Sequence, residues 1–210
     1  MPPNKPGQNI SKAIVQAQEQ ERQYISSELH DDVNQLILTA KLHIEMMKKE
    51  VPGLEKVEEY LLRAIEGVKR ITHRLSGIVL LHDGIEKSIT GIVESMTLLN
   101  IHVKTDLDLA LLTSLSPGQQ LMLYRVLQEQ SSNILKYAGA SKVHISISGR
   151  EGFAELIISD NGRGFDREKI KPGIGLMNIY NRAIAFNGSV EITSSPGAGC
   201  TLLLNFPLHE

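Results

Sequence analysis

From residue 10 to about residue 50 the chain has neither glycine nor proline, and apolar side chains recur at helical spacing through Ile10, Ile14, Ile25, Leu29, Val33, Leu36, Ala40, Ile44 and Met47. About forty residues at about 1.5 Å each make a rod of roughly 60 Å, a length typical of bundles and coiled coils. Val51-Pro52-Gly53 ends it, and a second periodic run follows through Leu54, Val57, Leu61, Leu62, Ile65, Val68, Ile71 and Leu75. The two runs predict a helical hairpin over residues 10–76. Apolar stripes on more than one side of each helix cannot all be covered within the pair, so a second copy completing a four-helix dimer is the economical architecture. Residues 1–9, with three prolines, one glycine and little apolar weight, predict a loose tail.

Beyond residue 76 the pattern changes. Residues 77–84 read as a connector, and residues 85–210 mix helical and strand-like runs as an α/β domain does. Helix is expected over 85–99 and strand over 101–107. Another helix runs from Ser116 to about residue 137; Ser116 caps it, Pro117 suits the first helical position and Gln119 completes a capping box. Strands over 143–148 and 153–159 flank Gly149-Arg150-Glu151-Gly152 as a hairpin. After a glycine-rich loop come a helix over 174–186 and strands over 190–193 and 201–206.

Composition narrows the function. With 22 basic and 24 acidic side chains and a net charge of -2, nothing favours nucleic acid or an anionic membrane. The single cysteine, Cys200, can form no internal disulfide, which suits a reducing compartment. No apolar run is long enough to span a bilayer, and the N-terminus lacks a signal-peptide core, so a cytoplasmic location is expected. The seven histidines are scattered without metal-ligand spacing.

Glu28-Leu29-His30-Asp31-Asp32-Val33-Asn34-Gln35 lies within the first helix. At about 100° per residue His30 and Asn34 stack on one line, and Asp31 and Gln35 on the next. His30 follows core-facing Leu29, so its imidazole is expected at the boundary between buried stripe and water. A neutral imidazole has one nitrogen lone pair free to attack phosphorus, while a carboxylate on the other nitrogen fixes the tautomer and stabilises the cation that develops. Asp31 is placed to do this, and Gln35 could orient a water for the reverse hydrolysis. A solvated coiled-coil face explains the same residues blandly.

In the second domain Glu129, Asn133 and Lys136 share one helix face. Their carboxylate and amide oxygens suit magnesium, and the ammonium suits phosphate; an ordinary charged face is the plain alternative. Asp160-Asn161-Gly162-Arg163-Gly164-Phe165 follows an apolar strand. A buried carboxylate there, with glycines that let backbone approach a ligand, can accept a hydrogen bond from an adenine amine. Gly173-Ile174-Gly175-Leu176 opens the next helix, where free amides favour phosphate. Neither the P-loop nor the dinucleotide fingerprint is present.

Taken in order, His30-Asp31-x-x-x-Gln35, Glu129-x-x-x-Asn133-x-x-Lys136, Asp160-x-Gly162-x-Gly164 and Gly173-x-Gly175-Leu176 resemble two-component sensor histidine kinases, in the subfamily whose histidine box reads His-Asp-x-x-x-Gln. The resemblance covers about residues 10–208 and includes Glu21-Arg22, Ala138, Ala140 and Ser195-Pro196-Gly197-x-Gly199. It implies a dimeric phosphotransfer hairpin followed by an α/β sandwich of the Bergerat ATPase type. By that resemblance His30 is the phosphoacceptor, Asp31 its base partner and Gln35 the residue for dephosphorylating a response regulator. Asn133 ligates Mg with Glu129 beside it, Lys136 meets phosphate and Asp160 reads the adenine of ATP. Gly162, Gly164, Phe165, Gly173, Gly175 and Leu176 shape the pocket, and residues 166–172, with Lys169 and Lys171, form a short lid. The implied partners are a second copy of the chain, a receiver domain, and an upstream sensor domain or partner outside this chain; the kinase is then either soluble or the cytosolic portion of a membrane-anchored one. Gly77 and Gly84 bound the expected hinge. Two positions depart from the pattern: Tyr137 stands where the subfamily often has histidine, and Cys200 where a threonine usually follows the last glycine.

Two rival readings explain less. A Bergerat-fold serine kinase or mechanical ATPase accounts for the glycine boxes but leaves His30-Asp31-x-x-x-Gln35 as coincidence. A non-enzymatic helical dimer with a degenerate nucleotide site draws on Cys200, against intact Glu129, Asn133 and Asp160.

Overall fold

The computed structural model describes residues 6–48, 51, 53–75, 78–167 and 173–208. By its internal contacts the chain forms two compact units, Ala17–Leu81 and His82–Glu210, with the stretch up to Gln16 counted with the second.

The helical unit grows out of the long periodic run. Helix α1 spans Pro6–Glu28, a π-helical turn spans Leu29–Val33, and α2 spans Asn34–Met47. The expected single helix is therefore interrupted by one wide turn, closed by a bond from the Asn34 N–H to the Leu29 carbonyl, five residues back. Residues 6–9 of the expected tail are helical, and residues 1–5 lie outside the described residues. Gly53, at φ 90°, turns the chain, Lys48 pairs with Glu58, and α3 (Glu55–Leu75) returns along α2. Across the hairpin, the Ser26 hydroxyl donates to the Thr72 carbonyl at 3.4 Å. Among the described residues of this unit Ile65 is the one fully buried apolar side chain, while Leu38, Leu42, Met46, Val57, Tyr60 and Ile71 stay exposed. Two helices alone do not make a core here.

The second unit holds the apolar interior. Helix α4 (Ile78–Thr97) contains most of the expected connector; its one break is at Gly84, with φ 79° and ψ 166°, while Gly77 lies outside the described residues. The remaining elements are β1 (His102–Leu107), α5 (Leu109–Ser114), α6 (Pro117–Asn133), a second π turn (Ile134–Ala138), β2 (Lys142–Arg150), β3 (Phe153–Asp160), α7 (Ile174–Ala185), β4 (Ser189–Ser194) and β5 (Cys200–Pro207). The sheet order is β1-β2-β3-β5-β4; β1 and β2 are parallel and the other pairs antiparallel.

Period-two alternation sorts each strand. Val143, Ile145 and Ile147 of β2, Ala154, Leu156 and Ile158 of β3, and Leu202, Leu204 and Phe206 of β5 are buried. Met122, Leu123, Val126 and Leu127 of α6 and Ile179 and Ala183 of α7 are buried with them, and α6 and α7 touch β3, β4 and β5. Each such Val, Leu, Ile, Met or Phe side chain contributes about 1.5–3 kcal/mol when removed from water. The intervening Ser146, Ser148, Ser159 and Thr201 remain half-exposed on the other face. The result is a two-layer α/β sandwich.

Local chemistry accounts for the ends of these elements. At α6 the Ser116 hydroxyl accepts from Gln119 N, and the Gln119 side chain accepts from Ser116 N, completing the expected box. The β2–β3 turn narrows to Glu151 and Gly152, at φ 51° and 84°, the two positive angles a tight primed turn needs.

Candidate functional site

The helical unit carries its chemistry on one edge. His30 Nδ1 lies 3.1 Å from Asp31 Oδ1, and both side chains are about two-thirds exposed, at 67% and 68%. With Nδ1–H donating to the carboxylate, Nε2 keeps its lone pair on an exposed side chain. Gln35 is exposed, but Asn34 is buried at 8% exposure and its Oδ1 has no hydrogen-bond partner. His30 and Asn34, which α-helical spacing places on one line, therefore differ in burial, and the π turn falls between them.

The second unit contains a cavity of about 690 Å³ at the end of the sheet where β3 stops and β5 starts. Helix α6 brings Glu129, Gln130 and Asn133 to its wall; the second π turn brings Ile134, Lys136, Tyr137 and Ala138. Asp160 closes the strand end, Arg163, Gly164 and Phe165 follow it, and Gly173 to Leu176 open α7 opposite. Ile192 and Cys200 complete the lining. Gly162 stands just behind the wall and donates from its N–H to Asp160 Oδ1 at 2.8 Å. Of these lining residues, Ala138, Arg163 and Ile174 stand within the sequence motifs but had no expected site role, and Gln130, Ile134 and Ile192 carried no sequence signal. Residues 168–172 of the expected lid, including Lys169 and Lys171, lie outside the described residues.

Close backbone approach explains Gly162, Gly164 and Gly199. A Cβ on Gly199, which has φ 71°, would stand 1.9 Å from the Asp160 carbonyl oxygen, and one on Gly164 2.1 Å from that of Ser195. On Gly175 it would meet Glu129 Oε1 at 2.2 Å, so α7 and α6 meet at that carboxylate. Gly173 has open space. Asn161, between the motif residues, ties the loop down by accepting from the N–H groups of Ser141 and Lys142.

Electrostatics follow burial. Desolvation pushes the Asp160 carboxyl above the ordinary aspartate range, opposed by hydrogen bonds from the backbone of Gly162 and Cys200. The Cys200 thiol is pushed up to about 11 by burial, with the Asp160 charge adding to it. It is a neutral thiol at physiological pH. Gln130 Nε2 approaches its sulfur at 3.9 Å, and the Asn133 amide nitrogen donates to Gln130 Oε1 at 3.5 Å.

One buried carboxylate beside apolar Ile134, Phe165 and Ile192 suits a flat heterocycle bearing an amine. The glycine-flanked start of α7, which has no side-chain cap, and Lys136 suit phosphates. Glu129 and Asn133 offer hard oxygens for a divalent cation. Among the described residues no cluster of three His, Cys, Asp or Glu side chains could hold a metal, so a cation would share its coordination with phosphate oxygens.

Residues 118–210 match the family described as histidine kinase-, DNA gyrase B-, and HSP90-like ATPase. The chain is 29% identical over 94% of its length to the sensor histidine kinase MctS of Rhizobium johnstonii, covering 45% of that protein. It is 27% identical over 93% of its length to the signal transduction histidine-protein kinase/phosphatase DegS of Brevibacillus brevis, covering 53%, and 28% identical over 91% to the sensor protein VraS of Staphylococcus epidermidis, covering 57%. The chain thus spans about half the length of the curated relatives it matches. In fold it is similar to the histidine kinase domain of the Erythrobacter litoralis EL346 blue-light activated histidine kinase, with a TM-score of 0.54 at 13% identity over 80% of this chain and 94% of that one.

Proposed function

We propose that this chain carries the core of a two-component sensor histidine kinase, phosphorylating His30 from ATP and passing the phosphoryl group to an aspartate of a receiver domain. One contact carries the chemistry: the Asp31 carboxylate on His30 Nδ1, which leaves Nε2 as the exposed nucleophile.

In this reading Asp160 accepts from the adenine amine, and Gly162 and Gly164 let the loop lie against the ring. Phe165 and Leu176 add apolar cover, with Tyr137 and Cys200 at the cavity's edge. Lys136 and the amides at Gly173 and Gly175 hold phosphate oxygens. Asn133, with Glu129 beside it, holds Mg²⁺, which when bound neutralises charge on the phosphates. His30 Nε2 forms a bond to the γ-phosphorus as the bond from that phosphorus to the bridging oxygen breaks, and ADP leaves. The developing imidazolium keeps its Nδ1 proton shared with Asp31. Positioning and charge stabilisation supply most of the rate. A second copy, packed along the hairpin, completes the bundle that presents His30 to the ATPase domain and then to the receiver. Gln35 serves the opposite task of dephosphorylating that receiver.

The deciding experiment is incubation with γ-labelled ATP and magnesium. The label is expected on the protein, lost in acid, kept in base and absent from His30→Gln. Acid-stable label, or label that persists in His30→Gln, would overturn the proposal and point to a hydroxyl acceptor.

A further inference from the structure

In an α-helix, side chains five apart point about 140° from one another and those four apart about 40°. Continuous α-helical spacing would therefore set Asn34 beside His30 and turn Gln35 away. The structure has the reverse exposure: His30 and Gln35 face solvent, while Asn34 is 8% exposed with an unpartnered Oδ1. The cause is the bond from the Asn34 N–H to the Leu29 carbonyl. Closing a turn over five residues takes up one extra residue, so residue 35 arrives at the angular place that residue 34 holds in an α-helix.

We propose that the π turn Leu29–Val33 is a positioning device: it brings the Gln35 amide onto the His30 edge and turns Asn34 into the hairpin. The inference rests on the reading of His30 and Gln35 given above, and adds the register by which they cooperate. Held there, the Gln35 amide orients a water against the aspartyl phosphate of a receiver docked at His30. The water oxygen bonds to phosphorus, the acyl–phosphate bond breaks, and the products are the free carboxylate and inorganic phosphate, with one proton released to solvent. Asn34 bears the cost, as a buried amide oxygen without a partner.

A π turn inside a helix is one residue more than an α-turn, so deleting Asn34 restores α-helix, keeps both flanking faces in register and sets the glutamine four residues after His30. The assay uses full-length chain and a receiver domain loaded with acetyl phosphate, chosen from a panel as the one that accepts label from this protein. The deletion variant is expected to dephosphorylate it within about threefold of the parent, while Gln35→Leu falls about tenfold or more. A deletion variant that autophosphorylates but dephosphorylates as poorly as Gln35→Leu overturns the proposal. Asn34→Leu keeps the test alive if the deletion does not fold. A raised melting temperature with unchanged dephosphorylation supports an inward Asn34; a lowered temperature or lost dephosphorylation overturns it. A parent protein that takes up no acid-labile label defeats the kinase reading instead, and the melting temperature of Asn34→Leu still decides the register.

Discussion

Asp160 shows how a single residue divides between stability and function. It ends β3 at 9% exposure, and burial raises its pKa above the ordinary aspartate range even with backbone donors at Gly162 and Cys200. A raised folded-state pKa means the folded protein binds the proton more tightly than the unfolded chain. The group's contribution to folding is therefore fully present below its unfolded pKa and is lost as pH rises through its folded one. Asp160→Asn is accordingly expected to melt at a higher temperature than the parent at pH 7, with the difference shrinking as pH falls. The same change removes a charged acceptor worth about 1.5–3 kcal/mol, so ATP binding should weaken about tenfold to a hundredfold. Thermal melts across pH, with and without ADP, read both effects; a variant that melts lower and binds ADP unchanged refutes the assignment. The motif marks this residue because an acidic side chain ends a mostly apolar strand directly before a glycine-rich loop. Gln130 gives no such signal, since a buried glutamine in a helix is written like a surface one.

At the scale of elements, glycines separate folding from catalysis. Gly199 lies against the Asp160 backbone at a positive φ, where neither neighbour can yield, so Gly199→Ala is expected to destabilise the second unit by about 2 kcal/mol or more. Gly175 meets only the movable end of the Glu129 side chain. Gly175→Ala should fold nearly as the parent does, yet lose autophosphorylation because Glu129 is displaced. Denaturant melts alongside labelling from ATP check the pair; equal loss of stability in both would contradict the distinction. Strands and long helices were legible because burial follows their period, and Ser116-Pro117-Gly118-Gln119 because capping is chemical. The π turns were not: a bond five residues back needs no glycine or proline, and the residues of Leu29–Val33 are compatible with plain α-helix. Helix α5, capped by Asp108 accepting from Leu111 N at 2.9 Å, is too short at six residues to show a period.

For the whole molecule, the difference between the two units is one of burial. The α/β unit buries an extensive apolar core under its own helices, although Leu98, Ile174 and Met177 stay exposed, whereas the hairpin buries little and leaves Leu38, Leu42 and Met46 of α2 exposed at intervals of four, and Val57, Tyr60 and Ile71 of α3 besides. Solvated ion pairs such as Arg63–Glu59 add little to such a hairpin. Its stability must come from covering those stripes, and a second copy offers the same stripe across a two-fold axis. A carboxylate placed in the middle of that seam should therefore separate the subunits while leaving the cavity of the other unit untouched. Leu42→Glu is expected to sediment as a monomer at concentrations where the parent is a dimer. It should bind ADP with unchanged affinity and lose most autophosphorylation, because the bundle that presents His30 is gone. A Leu42→Glu protein that remains dimeric moves the interface to another face of the hairpin; one that is monomeric yet labels His30 at the parental rate removes the dimer from the mechanism.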